Sequence, residues 1–130
     1  MALTGLDAWH RVVETKDLDL LSSMIADDAA FHSPVVFKPQ QGKALTLKYL
    51  SAATKVLAND AFHYVGQWTS PGSAVLEFIT EIEGVAIDGV DMITWNADGK
   101  IVDFKVMIRP LKAIEKVLQK MGEELAKSEG

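Results

Sequence analysis

Val75-Leu-Glu-Phe-Ile-Thr-Glu-Ile-Glu-Gly84, Gly89-Val-Asp-Met-Ile-Thr-Trp-Asn-Ala-Asp-Gly99 and Ile101-Val-Asp-Phe-Lys-Val-Met-Ile-Arg-Pro110 succeed one another in the second half of the chain. Each alternates with a period of two, the signature of a strand whose successive side chains point to opposite faces. Asn96-Ala-Asp-Gly is a strong turn between the last two, and Ser70-Pro-Gly-Ser is a hairpin turn ahead of the first. Upstream, Phe62, Tyr64, Gly66 and Trp68 alternate with His63, Val65 and Gln67. The pattern predicts an antiparallel meander of four long strands, over Phe62–Trp68, Val75–Glu83, Ile87–Trp95 and Ile101–Ile108. Both faces carry apolar residues, so each must be covered by helices, a ligand or a second subunit.

Before the meander the period is helical. Leu6, Trp9, Val12 and Val13, then Leu20, Leu21, Met24 and Ile25, make two pieces broken near Thr15 to Asp19, with Asp17 as the N-cap of the second. Ala29 to Ser33 reads as a short strand ending at Pro34, and Pro34 to Gly42 as a loop with a Gln-Gln-Gly turn. Ala44, Leu47, Leu50, Ala53 and Leu57 form one stripe of a helix from Lys43 to Ala58, stopped by Asn59-Asp60. Pro110 suits the first turn of a last helix, to about residue 127, with Leu111, Ile114, Val117, Leu118, Met121 and Leu125 as its apolar side. Helices first and a meander afterwards make an α+β domain, its helices gathered on one face of a curved sheet. A single domain over residues 1–130 is expected, with a core over about 6–111.

Composition removes several function classes. The 130 residues contain no Cys, which excludes disulfides, thiolate zinc sites and cysteine nucleophiles. The three His show no i, i+4 pair, and neither a Gly-x-Ser-x-Gly elbow nor a Gly-x-Gly-x-x-Gly loop occurs. No metal and no cofactor are therefore expected. The net charge is −5, and the nearest thing to a basic cluster, Lys112, Lys116 and Lys120, is spaced as a solvated helix face among Glu115, Glu123 and Glu124. Nucleic acid is disfavoured. No run is long enough to span a bilayer and the first ten residues lack the layout of a signal peptide, so a cytoplasmic location without membrane contact is the expectation.

Several strings resemble the SnoaL-like branch of the nuclear transport factor 2-like superfamily: Trp9-His-Arg, Asp28-Ala-Ala-Phe-His-Ser-Pro-Val, Gly42-Lys, Gly89-Val-Asp, Asp98-Gly-Lys-Ile and Val106-Met-Ile-Arg-Pro. The resemblance spans about Leu6 to Leu111 and implies a cone: a strongly bent mixed or antiparallel sheet wrapped around the N-terminal helices, with a C-terminal helix. It implies a pocket at the open end and, often, a homodimer. Its members include ketosteroid isomerases, polyketide cyclases, epoxide hydrolases and dehydratases beside non-catalytic binders, so the fold does not choose an activity. The family's epoxide hydrolases carry an Arg two residues before a strand Asp; Gly89 holds that position before Asp91 here.

Asp91 shares a strand face with Ile93 and Trp95, which points an acid toward an interior. There it must be paired, hydrogen-bonded or protonated, conditions that also suit proton transfer. Acids on this part of the sheet serve that role in the resembled enzymes. The alternative is that Asp91 only pairs with Arg109, on the neighbouring strand, which would hold the carboxyl ionised. His32, in Phe31-His-Ser-Pro, is expected near the pocket mouth, either as a proton-moving partner of Asp91 or as the cap of its turn. Asp91, His32 and Arg109 are thus the candidate catalytic residues, and Trp9, Trp95, Met107 and Tyr64 the candidate ligand contacts. The expected partners are a small, largely apolar molecule and a second copy of the chain. The functions open at this stage are acid–base turnover of such a molecule or a non-catalytic binding or dimeric interaction module.

Overall fold

The computed structural model describes residues 4–129; the two ends of the expected domain lie outside that range. Helix α1 (Gly5–Thr15) is followed by α2 (Leu18–Met24), strand β1 (Ile25–His32), the two-residue β2 (Gln40–Gln41) and helix α3 (Lys43–Leu57). Strands β3 (His63–Ser70), β4 (Ser73–Ile82), β5 (Val85–Trp95) and β6 (Ile101–Arg109) then lead into helix α4 (Leu111–Glu129).

Capping chemistry sets the first boundaries. The Thr4 hydroxyl accepts from the Asp7 N–H at 3.1 Å to start α1, and Asp17 accepts from the Leu20 N–H at 3.0 Å to start α2. Between them Lys16 takes a left-handed conformation, φ 58°, and its N–H bonds the Val12 carbonyl, closing α1. Helix α2 ends one residue before the helical stripe did: Ile25 belongs to β1 and pairs with Ile101. The strand pairing that β6 offers outweighs one more residue of helix.

The sheet runs β2-β1-β6-β5-β4-β3. The expected meander is its β3–β6 portion, and the expected Ala29–Ser33 strand becomes the longer β1, lying parallel to β6, which makes the sheet mixed. Gln40 and Gln41 form a strand against Phe31 and Ala30 where a turn was expected. One face of this open, bent sheet holds the core. Even-numbered β4 residues Ala74, Leu76, Phe78, Thr80 and Ile82 are buried, as are Ile87 and Ile93 of β5 and Phe104 and Val106 of β6. Against them pack Ala8, Trp9 and Val12 of α1, Leu50, Ala53 and Leu57 of α3, and Ala113, Val117 and Met121 of α4. Phe31, Phe78 and Phe104 are the largest fully buried side chains, and each makes a ring contact with another aromatic.

The helix stop at Asn59 is also a latch onto the sheet. Its amide donates to the Glu81 carbonyl at 3.0 Å, while its side-chain oxygen accepts from the Ala61 N–H and from the Thr80 hydroxyl at 2.9 and 2.8 Å. Without Asn59 the buried Thr80 hydroxyl falls back on the longer contact to the Leu57 carbonyl at 3.3 Å, and the bonds of Asn59 to Glu81 and Ala61 are lost as well. Asn59→Ala is expected to cost about 2 kcal/mol in urea unfolding, with an unchanged m-value.

Candidate active site

A cavity of about 30 Å³ lies between α1, α3 and the inner sheet face. Its walls are apolar, from Val13, Leu50, Ala53, Leu57, Phe62, Phe78, Phe104 and others, apart from Trp9, Thr54, Tyr64 and Asp91. The Thr54 hydroxyl is spent on the Leu50 carbonyl at 2.8 Å. Trp9, Tyr64 and Asp91 form a line: the indole N–H of Trp9 donates to the Tyr64 hydroxyl at 2.9 Å, and that hydroxyl donates to Asp91 Oδ2 at 2.7 Å. Three distant segments build this relay, α1, β3 and β5. Asp91 comes inward because β5 alternates and its register partners, Leu76 and Val106, are both core residues.

Burial decides the electrostatics. Asp91 is 5% exposed, and loss of hydration pushes its carboxyl up from an ordinary 3.8 to about 7, against the opposing pull of the Tyr64 hydrogen bond. Tyr64 is driven far above the usual phenol range, first by burial and then by the charge of Asp91 and the hydrogen bond to it, with the Trp9 donor offsetting part. Tyr64 therefore stays a neutral donor. Asp91 sits near half ionisation at neutral pH, where a group both takes and returns protons efficiently.

Of the expected site, Trp9, Tyr64 and Asp91 line this cavity together. The other four residues stand elsewhere, mainly for one reason: cross-strand partners share a face. Arg109 is opposite Asp88, not Asp91, and its guanidinium meets Asp88 at 3.1 Å on the outer face. The expected Asp91–Arg109 pair is not formed, so only the Tyr64 hydrogen bond, and no guanidinium, counters the effect of burial on the Asp91 carboxyl among the described residues. Met107 is opposite Val90 and half exposed on that same outer face, while its neighbour Val106 lines the cavity. His32 pairs with Lys105 in register and its Nε2 meets Asp103 Oδ1 at 2.8 Å, beside an outer groove that includes Met107. It therefore does not mark the mouth of the Asp91 cavity. Trp95 lies four residues along β5 from Asp91, roughly 13 Å away, beyond an irregularity in register after Thr94. Its indole closes on Gly5 at the start of α1 instead of flooring the cavity.

Arg109→Ala is expected to leave stability within about 0.5 kcal/mol of the parent, because its ion pair with Asp88 lies at the surface. Urea unfolding at two salt concentrations measures this directly.

The Tyr64–Asp91 bond was hidden by a bulge. Plain alternation puts Tyr64, Gly66 and Trp68 on one face, but the register between β3 and β4 shifts between Tyr64 and Gly66. Tyr64 turns inward opposite Phe78, whereas Trp68 lies opposite Val75 and is exposed. Gly66 was the available signal, since a glycine inside a strand pattern often marks a bulge.

Among the described residues no group of His, Asp and Glu could hold a metal ion, and no helix is long and apolar enough to cross a membrane. No curated protein matches the sequence. Among solved structures, a steroid Δ-isomerase from Pseudomonas aeruginosa is 35% identical with a TM-score of 0.89, over 95% of this chain and 90% of that one. An uncharacterised protein with a cystatin-like fold from Silicibacter pomeroyi is 27% identical at TM-score 0.83, over 92% and 83% of the two chains. A nuclear transport factor 2-like protein of unknown function from Mesorhizobium loti shares the fold at 16% identity and TM-score 0.69, over 82% and 91%. The SnoaL-like domain model matches residues 6–104, and with these neighbours and this cone of bent sheet and helices the chain belongs to the SnoaL-like family.

Proposed function

We propose that the protein is an acid–base enzyme of isomerase type, shifting a proton within a small, largely apolar molecule that carries a carbonyl group. The observation that carries this reading is the Asp91 carboxyl, buried in an apolar cavity with a pKa near 7 and, among the described residues, one side-chain hydrogen bond, from Tyr64. Such a group removes a proton from carbon next to a carbonyl and returns it at another carbon. Once Asp91 has taken the proton it no longer needs the Tyr64 donor, and that neutral hydroxyl can turn its O–H to the charge that develops on oxygen. The 35% identical steroid Δ-isomerase supports the same class of chemistry and suggests a hydrophobic ring system as substrate.

The test follows the ultraviolet absorbance of a β,γ-unsaturated ketosteroid incubated with the protein, since conjugation of the double bond creates a new band. Turnover with a pH profile that rises through about 7 is the expected result. No turnover across unsaturated steroid, terpenoid and polyketide-like ketones would reject the reading.

A cavity of about 30 Å³ has room for roughly one water molecule, and this favours a second reading, a non-catalytic module in which Trp9, Phe104 and their neighbours only pack. Catalysis requires the α1 and α3 walls to part for the substrate. Tight ligand binding without turnover would select a binding role; neither binding nor turnover would select the packed module.

A further inference from the structure

The cavity beside Asp91 has one thin wall. Of the residues around it, Val13, Phe62 and Tyr64 are partly exposed and the rest are buried. Val13 stands in the last turn of α1, while Phe62 and Tyr64 flank the first residue of β3, where their rings meet edge to face at 5.0 Å. The shortest way from solvent to Asp91 therefore runs between the end of that helix and the beginning of that strand.

A cation stands at this rim. Lys16 closes α1 in the left-handed conformation, a position that glycine or asparagine fills at least cost. Among the described residues one other non-glycine residue has a positive φ, Glu83, and its carboxylate is spent on Lys116 and Lys120. The exposed Lys16 side chain is placed differently: its ammonium is held at 2.7 Å by the carbonyl of Val13, a wall residue, rather than by a carboxylate. Costly backbone thus keeps a cation beside the thin wall, with donor capacity to spare. Asp60, the acid in the turn between α3 and β3, is exposed and has no such tie to the wall among the described residues. A ligand that crosses here puts its apolar body in the cavity and leaves any charge outside, since an ion inside would lose its hydration beside Asp91. We propose that Lys16 is a specificity residue of this cavity, selecting an apolar ketone whose carbonyl end reaches Asp91 and Tyr64 while a carboxylate at its far end stays outside on the Lys16 ammonium. This rests on the reading of the Asp91 cavity as the site of a carbonyl compound.

Three probes with one ketone end test it by calorimetry: 4-(4-oxocyclohexyl)benzoate, its methyl ester, and the aminomethyl counterpart, which is a cation. The parent is expected to bind the carboxylate about threefold to tenfold more tightly than the ester, the scale of an exposed charge-assisted contact, and to lose that preference at high salt. Lys16→Gln is expected to abolish the preference and leave ester binding unchanged, Lys16→Arg to keep it, with circular dichroism checking that both variants are folded. Equal affinity of the parent for carboxylate and ester, a preference that survives Lys16→Gln, or tightest binding of the cation overturns the assignment. So does a parent that binds none of the three. Exchange of the ring protons beside the ketone for deuterium, followed by NMR, reads the Asp91 chemistry separately. Exchange without a carboxylate preference overturns Lys16 and leaves the acid–base reading standing, whereas a carboxylate preference without exchange supports Lys16 as part of a binding site and counts against turnover.

Discussion

Asp91→Asn is expected to lower turnover of a responsive ketone by about 10²–10⁴, the usual scale for losing a positioned acid–base group, and to remove most of the pH dependence of stability between about pH 4 and 7. The folded carboxyl has its pKa raised from 3.8 to about 7. Below pH 4 it is protonated in both folded and unfolded chains, and its burial carries no charge penalty. Between 4 and 7 the unfolded chain releases the proton while the folded one keeps it, so stability falls as pH rises, and above 7 the loss is complete. The difference between the two values corresponds to about 4 kcal/mol as an order of magnitude. Asparagine still accepts the Tyr64 hydrogen bond and cannot ionise, so the variant's stability should vary much less with pH. At pH 8 it should exceed the parent by about 2 kcal/mol, after a cost for its new amide donor. Urea unfolding from pH 4 to 8 measures both proteins. A parent that is equally stable throughout, or an Asn variant with full activity, would sink the assignment.

Gly89→Ala is expected to destabilise the fold by about 2–4 kcal/mol, the range in which overpacking forces backbone shifts. A Cβ at this position would collide with the ring of Phe78 and stand 2.9 Å from the Met107 carbonyl oxygen. Phe78 is fully buried, stacked on Phe62 and part of the cavity wall; the carbonyl belongs to a paired strand. Neither can yield cheaply. Gly66→Ala makes the comparison, since there the obstructing atoms are the outer end of exposed Trp68, which can swing away. Thermal or urea unfolding showing equal effects at the two glycines would contradict this account. The same collision bears on the catalytic arginine that the family's epoxide hydrolases place two residues before their strand acid: in this chain the Phe78 ring occupies the space where a side chain would begin.

Much of the fold was legible because it rests on local chemistry. Asp17 caps its helix, Asn59 stops α3, and the alternation of β4 sets its acids opposite the buried Phe78, Thr80 and Ile82, whereas Met107 and Arg109 of β6, expected at the site, face outward. What failed was the relation between strands. Asp91 and Arg109 each had an evident face on their own strands, but nothing local says that Asp91 stands across from Val106 and Arg109 across from Asp88. Register comes from the hairpin as a whole, and a shift of one residue moves every partner to the other face. The bond from Tyr64 to Asp91 was obscured by the same kind of event, an extra residue at Val65 that reverses the facing of the strand beyond it. The pairing of β1 beside β6 joins the two ends of the sequence, which periodicity cannot see.

The hydrogen bond from Trp9 to Tyr64 makes the first helix part of the site's acidity. Trp9 makes the Tyr64 hydroxyl a better donor, and that donor is what restrains the rise in the Asp91 pKa. Loosening α1 from the sheet weakens this chain of donors, but it also opens the cavity wall to water, and because burial is the larger influence Asp91 then gives up its proton at lower pH. The titration of one buried carboxyl is therefore a gauge of how firmly the beginning of the protein is seated on its middle.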